Sequence, residues 1–131
     1  MFLDASAVLA ILLQEDGHEA LIDRIETART PLTTSPVAMV ECVANLASKG
    51  GLSVEAAHGF VAEFMRRLGV HEMPVTPEIG AEAIRAFARY GKGQNSPARL
   101  NMGDCFAYAC ARSAGLPLLY KGNDFIHTDL G

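Results

Sequence analysis

The chain has 131 residues, half of them apolar, with 11 basic against 15 acidic side chains. That length predicts one domain with room for a proper core, spanning 1–131. No apolar run is long enough to cross a bilayer as a helix. The opening MFLDAS has neither the basic start nor the apolar stretch of an export signal, so a cytoplasmic location is expected. Cys42, Cys105 and Cys110 are odd in number and form no CxxC pair. They speak against a disulfide framework and a zinc knuckle, and are expected to be reduced core residues.

In chain order, Met1 to Asp4 predicts a short strand ending in an acid, and ASAVLAILL from Ala5 to Leu13 predicts a helix that follows at once. Asp4 then lies at the carboxyl end of the first strand, with Ser6 one step into the turn. Either residue also suits a plain helix cap. Glu15 to Thr30 reads as an amphipathic surface helix with His18 solvated in its first turn. Ser35 and Pro36 supply an N-cap and a first helical residue. The helix from Pro36 to about Ser48 is apolar almost all the way round, which predicts that it is buried. Glu41 interrupts it. A carboxylate there is costly unless it is paired, reaches water or holds a cation.

Gly50-Gly51 ends that helix, and Ser53 starts another to Leu68, with Val54, Ala57, Phe60, Val61, Phe64 and Leu68 as its apolar side. Arg66 and Arg67 near its end read as a solvated surface. Val70 to Thr76 alternates as a strand until Pro74, which predicts a sheet edge. Pro77 to Tyr90 predicts a further helix. The loop from Gly91 to Arg99 is the one long polar insertion, placed so that Lys92 or Arg99 could meet a phosphate beside a cleft, or serve only as connector.

The stretch from Leu100 to Gly131 reads as loop, helix, strand and turn, with Asp104 at the start of the helix and Asp124 where the chain leaves the strand. The whole order predicts an α/β fold, a three-layer α/β/α sandwich with a central parallel sheet and right-handed crossovers. In such a sheet Asp4, Asp104 and Asp124 come to the carboxyl ends of the strands, where ligands bind. Glu41 enters from the flanking helix. Each acid has a mundane use, Asp104 at a helix dipole and Asp124 in a turn after Gly122-Asn123. Those uses do not account for four acids on one rim. An all-oxygen set selects hard cations such as Mg²⁺ or Mn²⁺ over zinc. The acidic balance is no obstacle to nucleic acid either, because setting those four aside leaves eleven acids against eleven bases, and a bound divalent ion attracts phosphate.

The blocks FLDAS, VECVANLA, LNMGDCFAYACA and LPLLYKGNDFIHTDL, taken in order, resemble those of the PIN-domain ribonucleases, above all the VapC toxins of bacterial toxin–antitoxin pairs. The resemblance runs from Phe2 to Leu130. It implies a Mg²⁺- or Mn²⁺-dependent endoribonuclease with its acids at Asp4, Glu41, Asp104 and Asp124 and its hydroxyl at Ser6. Asp4 and Asp104 are the expected direct metal ligands, and hydrolysis by a metal-held water would leave a 5′-phosphate and a 3′-hydroxyl. The TD pair of the family falls on Thr128 and Asp129. Asn123 stands where many relatives carry a further acid, so a fifth carboxylate is not expected. The resemblance further implies an RNA substrate, a homodimer, and an antitoxin that lays a helix on the apolar side of the helices between Glu15 and Leu68. A PIN-like module that binds RNA or protein without cutting is the alternative. A haloacid-dehalogenase-type phosphatase would need an acid where Ser6 stands.

Overall fold

The computed structural model describes all of residues 1–131. Ten elements follow one another: β1 (Phe2–Leu3), α1 (Ala5–Leu12), α2 (His18–Glu26), β2 (Thr33–Thr34), α3 (Pro36–Gly50), α4 (Val54–Leu68), β3 (His71–Glu72), α5 (Pro77–Tyr90), α6 (Met102–Ala114) and β4 (Leu118–Leu119). The four strands are short and all parallel, in the order β3-β2-β1-β4. Phe2 pairs with Thr33 on one side and with Leu118 on the other. The expected edge strand is β3, whose two residues are exposed. Since β1 leads to β2 on one side and β4 returns on the other, the sheet switches direction between β1 and β4. This is where an open α/β sheet leaves a crevice.

Alternation along the strands builds two cores. Phe2 and Leu118 point into a cluster with Ile79, Ala83 and Tyr90 of α5 and most of the buried face of α6. Leu3 and Leu119 point the other way, into a cluster with α1, α2, α3 and α4. Helices therefore cover both faces of the sheet, as the three-layer expectation requires. Helix α3 serves both layers, giving Ala38 to the first cluster and Cys42 and Leu46 to the second.

Local chemistry sets the helix ends. Ser35, 1% exposed, accepts from the backbone N–H of Ala38, and Pro36 occupies the first turn. Ser53 and Thr76 cap α4 and α5 in the same way.

Several expectations need correction. The helix foreseen from Glu15 to Thr30 is confined to His18–Glu26, because Gln14 and Gly17 take left-handed φ values of 52° and 86° that break it from α1. His18 is not simply solvated, since its Nδ1 lies 2.9 Å from the Glu15 carbonyl. Helix α3 is not buried all round, with Val40 68% exposed. Val54 and Phe60, foreseen on the apolar inner side of α4, are each 59% exposed. In both helices apolar surface faces outward, a pattern that marks a contact surface as readily as a core. The polar insertion after α5 is closed at its base by a Gly91–Leu100 bridge, and Ala98 is buried beneath it.

Replacing Ser35 by Ala removes the cap of α3 and leaves the Ala38 N–H without its acceptor in a dry place. Urea denaturation of the Ser35→Ala protein is expected to show a loss of about 1–2 kcal/mol.

Candidate active site

The crevice at the switch point is a cavity of about 360 Å³ lined mostly by polar and charged residues, with Ala5 and Leu9 among them. Asp4, Ser6, Glu41, Asp104 and Asp124 all line it. Residues 120 positions apart in the chain thus share one opening, because β1 and β4 are neighbours and their loops leave the sheet at the same end.

Asp4 is both the cap of α1 and a wall of the cavity, so the two readings of it were never alternatives. Its Oδ2 accepts from the Ser6 backbone N–H at 3.0 Å and from Ser6 Oγ at 2.5 Å. Ser6 Oγ in turn accepts from the backbone N–H of Lys121, 3.0 Å away on the loop after β4. A hydroxyl bridge therefore links the two loops and fixes the Asp4 carboxylate. Asp104 sits in the first turn of α6 and forms a reciprocal capping box with Asn101. The Asp104 N–H donates to Asn101 Oδ1 at 2.8 Å, and the Asn101 N–H donates to Asp104 Oδ2 at 3.1 Å. Both aspartates are buried, at 4% and 7% exposure.

Glu41 is half-buried on α3, and the Glu41 carboxylate lies against Gly103 in the first turn of α6. Asp124 stands exposed on the rim, beyond a turn in which Gly122 adopts φ 99°, a conformation that favours glycine.

Burial dominates the electrostatics. It raises the Asp4 carboxyl above its ordinary value, with Asp124 adding to the rise and the Ser6 donors opposing it. Glu41 is pushed up to about 7 by burial and by Asp4. Asp104 is likewise pushed up to about 7, first by burial and then by Asp124 and Asp4, against the pull of the Asn101 N–H. The ion pairs of the protein all lie on other acids, so none of these four is directly paired with a basic side chain. No three of them converge tightly enough to enclose an ion as they stand. The four acids expected on one rim therefore share a cavity without forming a ready coordination shell. Its donors are nevertheless of the type that suits a hard divalent cation: they are carboxylate oxygens, crowded and partly dry. Cys42 and Cys105 offer no competing thiolate, since burial first and neighbouring carboxylates second push their thiols up to about 12 and about 11.

Reading the sequence missed part of the wall. Glu15, Asn45, Lys49, Asn101 and Lys121 line the cavity as well. Glu41, Asn45 and Lys49 follow a spacing of four, one stripe along α3, which is a legible helical signal. Lys92 and Arg99, the basic residues put forward for a phosphate, do not line it, and Lys49 and Lys121 take that position. Lys121 Nζ rests 3.4 Å from Glu15 on the rim. Thr128 and Asp129 are outside the cavity. Asp129 accepts from the Tyr108 hydroxyl and from Arg112, both at 2.7 Å, and so clasps the end of the chain to α6. Thr128 bonds the Phe125 carbonyl at 2.8 Å. Asn123 is exposed on the same loop and lines no part of the wall.

A parallel sheet with a carboxylate-lined crevice at its switch point defines an α/β protein with an acidic site where open sheets bind ligands. Comparison with known proteins makes the class specific. Residues 1–130 match the family model described as the PIN domain. A VapC ribonuclease of Rhizobium meliloti (strain 1021) is 43% identical, over 99% of both chains. Ribonuclease VapC36 of Mycobacterium tuberculosis is 37% identical over 99% of this chain and 91% of its own. The crystal structure of Mycobacterium tuberculosis VapC20, described as a sarcin-ricin loop cleaving toxin, superposes with a TM-score of 0.72. It covers 95% of this chain and 91% of its own at 21% identity, a likeness of fold. The chain belongs to the PIN-domain family, among the VapC ribonucleases.

The raised carboxyls give the metal-free protein a defined pH dependence. The folded form keeps protons on Glu41 and Asp104 up to about 7, whereas the unfolded chain releases them near 4.5 and 3.8. The stability they contribute is full below the unfolded values and is lost as pH rises through about 7. In chelator, the melting temperature is expected to fall over that window, and to fall less steeply in Glu41→Gln. An equal slope in the variant would show that Glu41 is not part of the effect.

Proposed function

We propose that the protein is a divalent-metal-dependent endoribonuclease, a single nuclease domain acting as the toxin of a toxin–antitoxin pair. The observation that carries this reading is the gathering of Asp4, Glu41, Asp104 and Asp124 around one cavity, none of them in an ion pair with a basic side chain. Asp4 and Asp104 are the residues we assign to hold Mg²⁺ or Mn²⁺ directly, with Glu41 and Asp124 completing the set. When bound, such an ion acidifies a water molecule and draws charge from the phosphate.

The chain's own groups set up the rest. Ser6 keeps the Asp4 carboxylate aimed by donating to one of its oxygens, and is itself held by the Lys121 N–H. The capping box keeps Asp104 fixed without help from substrate. The two buried aspartates are thus preorganised, and little reorganisation is left for the moment of reaction. Lys49 and Lys121 line the mouth, where their ammonium groups can meet the backbone phosphates flanking the cleaved one.

Partners follow from the outward apolar surfaces. An open groove of about 330 Å³ between α3 and α4 is lined by Met39, Val40, Val43, Ala44, Val54 and His58. It suits the apolar face of an antitoxin helix, in the groove-binding mode. The exposed Ile84, Phe87 and Met102 on α5 and α6 offer a second copy of the chain a separate surface. No helix is long and apolar enough to cross a membrane.

Two experiments test these assignments. Purified protein incubated with structured RNA and Mn²⁺ is expected to release fragments with 5′-phosphates. The Asp104→Asn variant should cut at least roughly a hundredfold more slowly, the scale of removing one preorganised charge-stabilising group. RNA held but never cut by the parent protein would identify a binding module instead. Light scattering on sized fractions reads the partners: a dimer alone, a larger complex with the antitoxin, and no such complex for Val54→Asp. Formation of the antitoxin complex by Val54→Asp would place the helix elsewhere.

A further inference from the structure

We propose that Gly103 is a positioning residue of the active site, its missing side chain being the space in which the Glu41 carboxylate is seated against the first turn of α6. A Cβ at position 103 would fall on that carboxylate, with Glu41 Cδ at 2.5 Å and both oxygens closer. This is far inside van der Waals contact. No other glycine of the chain would place a Cβ against a carboxylate of the cavity.

The helix itself gives no reason for glycine there. Residue 103 lies within α6 and has no left-handed φ, so its backbone is open to any residue. Inside a helix, glycine is disfavoured relative to alanine. A local rule is broken where a functional side chain needs the room. The seat also has consequences for geometry. Asp104 follows directly in the chain, so α6 presents its own carboxylate and the place for Glu41 from one turn. Carboxylates at that end of a helix are favoured by its dipole. On the far side of Glu41 lies a second recess of about 550 Å³, bordered by Pro36, Val37, Val40 and Met102. A Glu41 side chain displaced by a methyl group at 103 has this recess to swing into, away from Asp4 and Asp104.

The group that must yield is the end of a flexible side chain, so Gly103→Ala is expected to fold. The inference rests on the nuclease reading, in which Glu41 helps to hold the cation, and the test is arranged so that the two can fail separately. Mn²⁺ binding by purified protein is followed by electron paramagnetic resonance. Gly103→Ala is expected to bind about tenfold more weakly, the lower end of what displaced supporting groups cost a metal site. In the Glu41→Ala background the same change should have no further effect. Gly103→Ala with Glu41→Asp, one methylene shorter, should bind better than Gly103→Ala alone. Unaltered Mn²⁺ affinity in Gly103→Ala, or an equal loss in both backgrounds, would overturn the proposal.

If the parent protein neither binds Mn²⁺ nor cuts RNA, the nuclease reading fails. Melting temperatures in chelator then decide the seating by themselves. Alanine at 103 should raise the melting temperature more when Glu41 is already Ala than when it is present, and an equal rise in both would refute the contact. If Gly103→Ala does not fold, the Glu41→Ala and Glu41→Asp backgrounds carry the same comparison, and misfolding in all three would also refute it.

Discussion

Like charges held together in a nearly dry place are the constraint on which this protein turns. Asp4 and Asp104 are almost wholly removed from water, and Glu41 is half removed, while Asp124 closes the group from the rim. Burial and mutual repulsion together raise the carboxyls of Asp4, Glu41 and Asp104. The backbone cannot relieve the crowding by drifting apart, because each buried aspartate is tied into the start of its own helix. Relief comes by taking up a proton or a cation. A fold that keeps this arrangement has to stabilise itself elsewhere, through the two apolar clusters that flank the sheet.

The sheet that creates the arrangement is very small. Its strands are two residues long, and their contribution is position more than area. Pairing Phe2 with Leu118 brings the loops after β1 and β4 side by side. Helix α3 is the other necessary piece. It contributes to both apolar clusters, so it stands where the two helical layers meet. A carboxylate on its free edge can therefore reach the start of α6, a helix of the opposite layer. In this way a residue flanked by core positions becomes part of a polar site.

The same duality explains the apolar residues that face outward. Val40, Val54, Ile84 and Met102 carry the hydropathy of core residues, yet more than half of each side chain is open to solvent. They surround recesses between helix pairs instead of filling a core. Hydropathy registers how much apolar surface a helix has, and has no means of saying whether its cover comes from the same chain.

Much was nevertheless legible without coordinates. The parallel α/β plan, the caps at Ser35 and Ser53, the edge position of β3 and the four acids Asp4, Glu41, Asp104 and Asp124 follow from local signals: strand ends, turn chemistry and an acid in an apolar helix; Ser6 was added by the family resemblance. What those signals could not rank was competing cations. Lys92 and Arg99 sit in a long polar loop of the kind that carries function, while Lys49 and Lys121 look like ordinary surface residues. Three-dimensional packing reversed that order, because α3 points one face at the crevice and the β4 loop closes it. Gly103 makes the same point more sharply. A helical glycine has no meaning in one dimension, and acquires one only beside a carboxylate 62 positions away in the chain. Sequence alone determined which residues have chemistry to offer, since residue type and local period are properties of short stretches. Which of them meet was left to the tertiary structure, since distance through space depends on how every layer packs.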